Sequence, residues 1–312
     1  MGDKIATRDA YGNALLKLGK ENPDVVVLDA DLSKSTKTAG FSKAYPERFF
    51  QMGIAEADMM TTAAGFATCG KTPFASTFAI FATGRAYDQV RNSIGYPHLN
   101  VKIAATHAGI TVGEDGGSHQ SIEDLTLMRA IPGMVVLSPA DAVETEKLIL
   151  KAAEYQGPVY IRLGREPVSI IFDEQYQPEI GKAVRLREGD AATIVATGVM
   201  VEKALAAADR LKEDGLNVRV VNVHTIKPLD EAEIVAAAKE TGAIVTAEEH
   251  SYMGGLSGAV AEVIVRTVPV PMEFVAVQDR FGQSGKPSLL MEEYGLTVED
   301  IVNTVKKVMK RK

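Results

Sequence analysis

Val25-Val26-Val27-Leu28-Asp29 runs without a break into Ala30-Asp31-Leu32-Ser33-Lys34-Ser35. Four consecutive apolar residues, three of them β-branched, read as a strand buried on both faces, and such strands belong to parallel sheets covered by helices. The polar residues that follow lie just past the carboxyl end of that strand, where open α/β sheets bind their ligands. The same alternation continues outward in both directions. Upstream, Thr7 is placed to cap a helix running to about Lys20. Downstream come a strand near Phe49–Met52, an alanine-rich helix from about Ala55 to Thr68, and strands near Val101–Thr106, Met134–Ser138 and Val159–Leu163. Helices alternating with buried strands predict the α/β class.

A chain of 312 residues exceeds what one hydrophobic core usually supports, so two domains are expected. Between Arg165 and Arg187 the pattern degrades into Pro167, Pro178 and Gly181 among charges, which reads as a linker. A second block follows: strand Ala192–Ala196, helix Val201–Asp214, strand Val218–Val221, helix Leu229–Thr241 and strand Ala243–Ala247. The turn Met253-Gly254-Gly255-Leu256-Ser257-Gly258 lacks the dinucleotide-binding spacing and reads as a tight structural turn.

With 46% hydrophobic and 24% charged residues the chain has the balance of a packed globular protein, not of a disordered or collagen-like one. Its 34 Lys and Arg against 41 Asp and Glu give a net charge of −7, which disfavours non-specific nucleic-acid or anionic-membrane binding. A phosphate ligand has to be met locally. One cysteine, Cys69, can form neither an internal disulfide nor a thiolate zinc site, and this fits a reducing compartment. The amino terminus carries no readable targeting or myristoylation signal, and no apolar run approaches the roughly 20 residues that span a bilayer, so a cytoplasmic location is expected.

Chemistry-bearing residues cluster in four stretches, each just after a predicted strand: Asp29–Ser35, Gly53–Glu56, Phe74–Phe81 and Thr106–Gln120. Glu56 opens an apolar helix, where a carboxylate ordinarily complements the helix dipole. Flanked by Met52, Ile54 and Met59, it is also suited to share a proton with a ligand nitrogen. Phe78 and Phe81, three apart, suit core packing or an aromatic platform for a flat heterocycle. His107, Glu114, Asp115 and His119 lie among four glycines in one stretch, a composition that does not pack a core. Isolated loop histidines are often surface filler. Together these residues read as a polyol or phosphate site, because imidazoles and carboxylates bond hydroxyl groups while glycines let backbone approach.

In order along the chain, Gly53-Ile54-Ala55-Glu56, Ser76-Thr77-Phe78, Arg85-Ala86-Tyr87-Asp88-Gln89-Val90-Arg91-Asn92, Gly113-Glu114-Asp115-Gly116-Gly117-Ser118-His119-Gln120 and Phe281-Gly282-Gln283-Ser284-Gly285-Lys286-Pro287 resemble the C-terminal half of transketolase. The resemblance covers essentially the whole chain. It lacks that family's N-terminal domain with its Gly-Asp-Gly…Asn signature, and so looks like the second subunit of a split enzyme. It implies two three-layer αβα domains, a pyrimidine-binding domain over about 1–180 and a C-terminal domain over about 190–312. It implies thiamine diphosphate as cofactor, magnesium held mainly by an N-terminal partner subunit, and an assembly of two of each chain. Glu56 is similar to the glutamate that bonds the aminopyrimidine ring nitrogen, and Phe78 and Phe81 to the aromatics flanking that ring. A third family aromatic is replaced by Gly84, leaving the pocket wall open or filled by Tyr87. His107 resembles a donor to the substrate phosphate, Asp115 an acid that reads a sugar hydroxyl, and His119 a histidine near cofactor and substrate. Ser35 and Arg165 resemble phosphate contacts, with Arg162 a competitor for the arginine's place. The implied activity is transfer of a two-carbon ketol unit from a ketose phosphate to an aldose phosphate.

Two related enzymes share parts of these motifs: the beta subunit of 2-oxo-acid dehydrogenases, with its Gly-Ile-Ala-Glu element, and deoxyxylulose-phosphate synthase, with the Arg85–Val90 stretch. Asp115…His119 suits a sugar phosphate and favours transketolase. A non-catalytic partner of the same fold is the alternative from a different class; Glu56, His107, Asp115, His119 and Arg165 standing together weigh against it.

Overall fold

The computed structural model describes residues 4–312. Its first sheet has seven strands in the order Thr225–Lys227, Val135–Leu137, Val159–Arg162, Lys102–Thr106, Thr72–Phe78, Val25–Asp29 and Phe49–Gln51. All pair in parallel except the first, which runs antiparallel to Val135–Leu137. Val25–Asp29, Thr72–Phe78, Lys102–Thr106 and Val159–Arg162 are buried at every residue, as strands covered on both faces must be. Alternate side chains go to opposite layers. Val25 and Val27 meet the helices Thr7–Glu21 and Ala142–Glu154 in one cluster, while Val26 and Leu28 meet the helix Glu56–Thr68 in another.

The second sheet orders Met272–Val277, Ile244–Ser251, Thr193–Ala196 and Arg219–Asn222 in parallel, with Val184–Arg187 antiparallel at the edge. Ile194 and Val245 pack against the helices Met200–Glu213 and Val298–Met309. Val195 and Ile244 pack with residues of Glu231–Thr241 and Leu256–Arg266 in the same apolar cluster that reaches Val26 and Tyr160 of the first sheet. The α/β layering follows the sequence pattern. Among the described residues no helix is long and apolar enough to cross a membrane.

Several local expectations change. Thr7 is the first residue of its helix rather than the cap, and its Oγ1 accepts from the Gly164 amide at 2.7 Å. The stretch read as linker contains Pro167–Ser169, paired antiparallel with Lys4–Ala6, and Val184–Arg187. Thr225–Lys227 lies beyond the linker yet completes the first sheet, a pairing that three residues before a proline are too few to signal by periodicity. Ile226 is buried there, and Lys227 Nζ donates to the carbonyls of Arg129 and Ile131. In the turn at Met253–Gly258 the anion on the following helix is the protein's own: Glu248 accepts the Leu256 and Ser257 amides, each at 2.7 Å.

The two sheets are fixed to each other by buried charge. Arg162, at the end of a central strand, places Nε 2.9 Å from Asp124 Oδ2 and donates through Nη2 to the carbonyls of Ser121 and Glu249. Burial alone would lower the pKa of Arg162, but Asp124 and Glu249 raise it above the ordinary arginine value. Burial likewise works against Asp124, while Arg162 and His250 hold its carboxyl below the usual range. Arg162→Ala leaves Asp124 buried without its countercharge, with the Tyr160 hydroxyl still donating to it at 2.7 Å, and is expected to cost about 3–5 kcal/mol in urea unfolding. The stabilisation is present above the unfolded carboxylate pKa and is lost as pH falls through the lower folded value. A loss under about 1 kcal/mol, as for an exposed ion pair, would show that the two halves do not depend on it.

Candidate active site

The site lies along the carboxyl ends of the first sheet, on the loops after Val25–Asp29, Phe49–Gln51, Thr72–Phe78 and Lys102–Thr106. Glu56 is the first residue of its helix and only 5% exposed, so its role is not that of a solvated helix-end carboxylate. Ile54, expected beside it, is 76% exposed and does not cover it. The neighbour of Glu56 is Arg85, whose Nη1 lies 3.2 Å from Oε1. Tyr87 does not fill the wall at Gly84: its hydroxyl donates to the Leu127 carbonyl. That wall belongs to Arg85, with Cζ 4.1 Å from the Phe81 ring centroid.

Phe78 and Phe81 are not on one helix face, as a spacing of three suggests. Phe78 ends a strand and Phe81 opens the π-helical turn Phe81–Arg85, a geometry frequent at functional sites. Their rings stack at 5.7 Å and 15°, and Phe78 stacks in turn on His107 at 3.8 Å and 23°. His119 stands edge-on to both, 5.4 Å from Phe81 and 6.2 Å from Phe78. The result is one aromatic track from Phe81 to His107, joined to Glu56 through Arg85.

At the far end of the track, Thr106 Oγ1 lies 2.9 Å from His107 Nδ1, and Arg8 Nη1 lies 3.0 Å from Nε2. A guanidinium only donates, so Nε2 accepts and the proton sits on Nδ1, directed at Thr106. Burial, reinforced by Arg8, Arg165, His119 and Lys37, pushes the His107 pKa down to about 3. His107 thus presents no free N–H in this arrangement. The charge there belongs to Arg8, which also donates to the Ser35 carbonyl at 3.2 Å. Burial lowers the Arg8 pKa, Asp9 pulls the other way, and Arg165 lowers it further.

Arg165 donates to the Val112 carbonyl at 2.8 Å and meets Asp115 at 3.3 Å as a partly exposed pair. Arg162, the sequence's other candidate, is spent on Asp124, Ser121 and Glu249 and does not reach this cleft. Two cations, Arg8 and Arg165, therefore converge with half-buried Ser35 on a place suited to a phosphate or a similar anion. Ser35 is set by buried Asp29, which accepts from the Leu32 amide, Thr36 Oγ1 and Thr38 Oγ1. Burial raises the Asp29 pKa and these three bonds oppose the rise.

The loop carrying Asp115 and His119 is held from the second half of the chain. Glu249 Oε1 accepts the Thr111 amide at 2.6 Å, and its carboxylate leaves no room for a Cβ on Gly109, which has φ of +82°. Gln120 Nε2 bridges the carbonyls of Ile110 and Gln283, and Ser284 Oγ donates to the Glu114 carbonyl at 2.7 Å. Reasoning from the sequence missed Arg8, Arg85 and Glu249. Arg8 reads as one charge in the first turn of an amphipathic helix, and Arg85 stood only within a motif. Glu249 lies within a strand of the other domain, two residues before its end.

The strand ends of this two-domain α/β chain carry a buried carboxylate, an aromatic track and paired arginines, the chemistry that a flat heterocycle beside an anion would require. The family comparison makes this specific. The transketolase pyrimidine binding domain matches residues 3–169 and the transketolase C-terminal domain matches residues 181–301, and the chain belongs to the transketolase family. It is 50% identical over 307 residues to a transketolase C-terminal section of Methanocaldococcus jannaschii, covering 97% of this chain and 96% of that protein. It is 44% identical over 305 residues to a 6-deoxy-6-sulfo-D-fructose transketolase subunit of Clostridium sp. strain MSTE9, covering 98% and 95%. A split-gene transketolase solved as an inactive β4 tetramer superposes with a TM-score of 0.93 at 56% identity, covering 99% of both chains. Against full-length human transketolase the match takes in 98% of this chain and 49% of that protein.

The neutral state of His107 is directly measurable. Its ring resonances in a nitrogen-15 NMR titration are expected to keep the Nδ1–H tautomer unchanged from pH 8 to pH 5, because the folded pKa of about 3 lies below that window. A midpoint near the ordinary value of about 6.5 would show that Arg8 and burial do not control the ring.

Proposed function

We propose that this chain is the pyrimidine-binding and C-terminal subunit of a two-chain transketolase, with domains of about 1–180 and 190–312. The observation that carries the reading is the continuous track from Glu56 through Arg85 to Phe81, Phe78 and His107 and on to Arg8, which joins a heterocycle end to an anion end. The residues fit the cofactor's ring: a planar, N–H-bearing group, the Arg85 guanidinium, already stacks on Phe81 and bonds Glu56. Thiamine diphosphate, when bound, supplies the electron sink that lets a carbon–carbon bond of a ketose phosphate break and re-form on an aldose phosphate.

This chain's residues do the rest. Glu56 shares a proton with the ring nitrogen at the buried end. Phe78 and Phe81 flank the ring, and His119 stands where ring and sugar meet. Asp115 accepts from a sugar hydroxyl. Arg165, Ser35 and Arg8 hold the phosphate, with His107 orienting Arg8 by accepting its hydrogen bond. Among the described residues no group of three or more His, Cys, Asp and Glu is gathered to hold a metal ion. We assign magnesium and the diphosphate to an N-terminal partner subunit, in an assembly of two of each chain. The inactive β4 tetramer of the split-gene relative accords with a chain that needs a partner to act. The single Cys69 fits a cytoplasmic, reducing setting.

Adding the partner subunit to this chain with thiamine diphosphate and magnesium is expected to raise ketol transfer from background to a plateau near equimolar subunits. Sustained turnover by this chain alone would overturn the two-chain reading. In the complex, Glu56→Gln is expected to lower kcat by at least about 100-fold, the usual weight of a positioned proton-transfer group. A rate within about threefold of wild type, under about 0.7 kcal/mol, removes Glu56 from that role. Arg165→Ala and Arg8→Ala are each expected to cost about 1.5–3 kcal/mol in kcat/KM for a phosphorylated sugar and far less for its unphosphorylated counterpart. An equal loss on both substrates assigns the arginines to structure instead.

A further inference from the structure

We propose that Arg85 is a built-in competitor for the pyrimidine pocket, and that the heterocycle binds only as Arg85 withdraws. The inference rests on the assignment of Glu56 and Phe81 to that pocket. The Arg85 guanidinium makes both interactions a flat, N–H-bearing ring would make there: Cζ lies 4.1 Å over the Phe81 ring, and Nη1 lies 3.2 Å from Glu56 Oε1. The carboxylate could accept from a further donor, but the face of Phe81 that the guanidinium covers cannot hold a second planar group at once. Arginine is suited to the part because its plane stacks on aromatics while its edge bonds a carboxylate.

The surroundings allow the exchange. The Arg85 side chain is 55% exposed, whereas that of Glu56 is 5% exposed, so the arginine can leave toward solvent while the carboxylate stays in place. Gly84, just before it, has nothing within 4 Å of where a Cβ would sit, and the π-helical turn Phe81–Arg85 holds Arg85 on one short, irregular segment. Neighbouring Tyr87 is fixed separately through the Leu127 carbonyl, which confines the movement to Arg85 and its turn. The exchange also changes what Glu56 meets. A permanently charged partner gives way to a ring nitrogen able to share a proton, so the carboxylate is released for that task as the ring arrives.

The test uses the full chain and the free hydroxymethyl-aminopyrimidine portion of thiamine as probe, with binding followed by NMR shifts. Arg85→Ala and Arg85→Gln are compared with wild type after thermal melts confirm that both fold. If Arg85 holds the pocket four-fifths of the time or more, each variant binds the probe about fivefold tighter or better, since apparent affinity scales with the competent fraction. Methylguanidinium is expected to displace the probe from Arg85→Ala at concentrations that leave wild type unaffected. Unchanged or weaker binding in both variants overturns the inference and makes Arg85 a spectator or a ring ligand. Glu56→Gln, measured alongside, separates the two levels. If it leaves probe binding unchanged, the pocket assignment itself fails; if it weakens binding while neither Arg85 variant tightens it, only the competitor role fails.

Discussion

Arg162 is a permanent cation at the end of a central strand, without solvent to screen it, and the rest of the structure has to accommodate that. Its partners come from both halves of the chain: Asp124 and the Ser121 carbonyl from the first, the Glu249 carbonyl from the second. A buried charge tolerates no slack, because each lost partner leaves an uncompensated group. The two sheets therefore dock in one register, and Glu249 is carried to where its carboxylate accepts the Thr111 amide. Asp115 and His119 follow from that contact. The second domain thus shapes the loop on which half of the candidate site stands, with Gln283 and Ser284 reinforcing it from the C-terminal segment.

Parallel strands bring their carboxyl ends to one edge, and loops distant in sequence meet there. Thr72–Phe78 and Lys102–Thr106 are neighbours, so Phe78 and the residue after Thr106 come face to face, which is why Phe78 stacks on His107. The helix bearing Arg8 is tied at its first turn to Gly164, next to Arg165, through Thr7. Two arginines are thereby kept together by backbone contacts made elsewhere, at some electrostatic cost. An anionic ligand would relieve that cost, so the proposed phosphate site is a local feature on a chain of net charge −7.

Much of this is legible in the residues. Buried strands at Val25, Val101 and Val159 are readable because hydrophobic runs and turn residues act locally, whereas Thr72–Phe78, read as a polar exit, is itself a buried strand. The clusters around Glu56, Phe78 and Asp115 through His119 are readable because such compositions do not pack a core. The misreadings have a common origin. Thr7, Ile54 and Tyr87 have side chains whose direction depends on a distant partner: Gly164 for Thr7, Leu127 for Tyr87, and solvent for Ile54. Thr225–Lys227 is too short for its sheet to be inferred without seeing the open edge at Val135–Leu137.

The sequence by itself determined the α/β class and much of the succession of strands and helices, and it marked four stretches as candidates for chemistry, since each is set by short-range periodicity and composition. Only the tertiary structure decided which arginine faces the cleft, that His107 is neutral and accepts from Arg8, and that Glu56 meets Arg85 rather than Ile54. The physical reason is that hydrogen bonds and ion pairs are fixed within a few ångströms. Residues 8, 107 and 165, or 56 and 85, come that close only once the strands of the first sheet have paired and brought their carboxyl ends together.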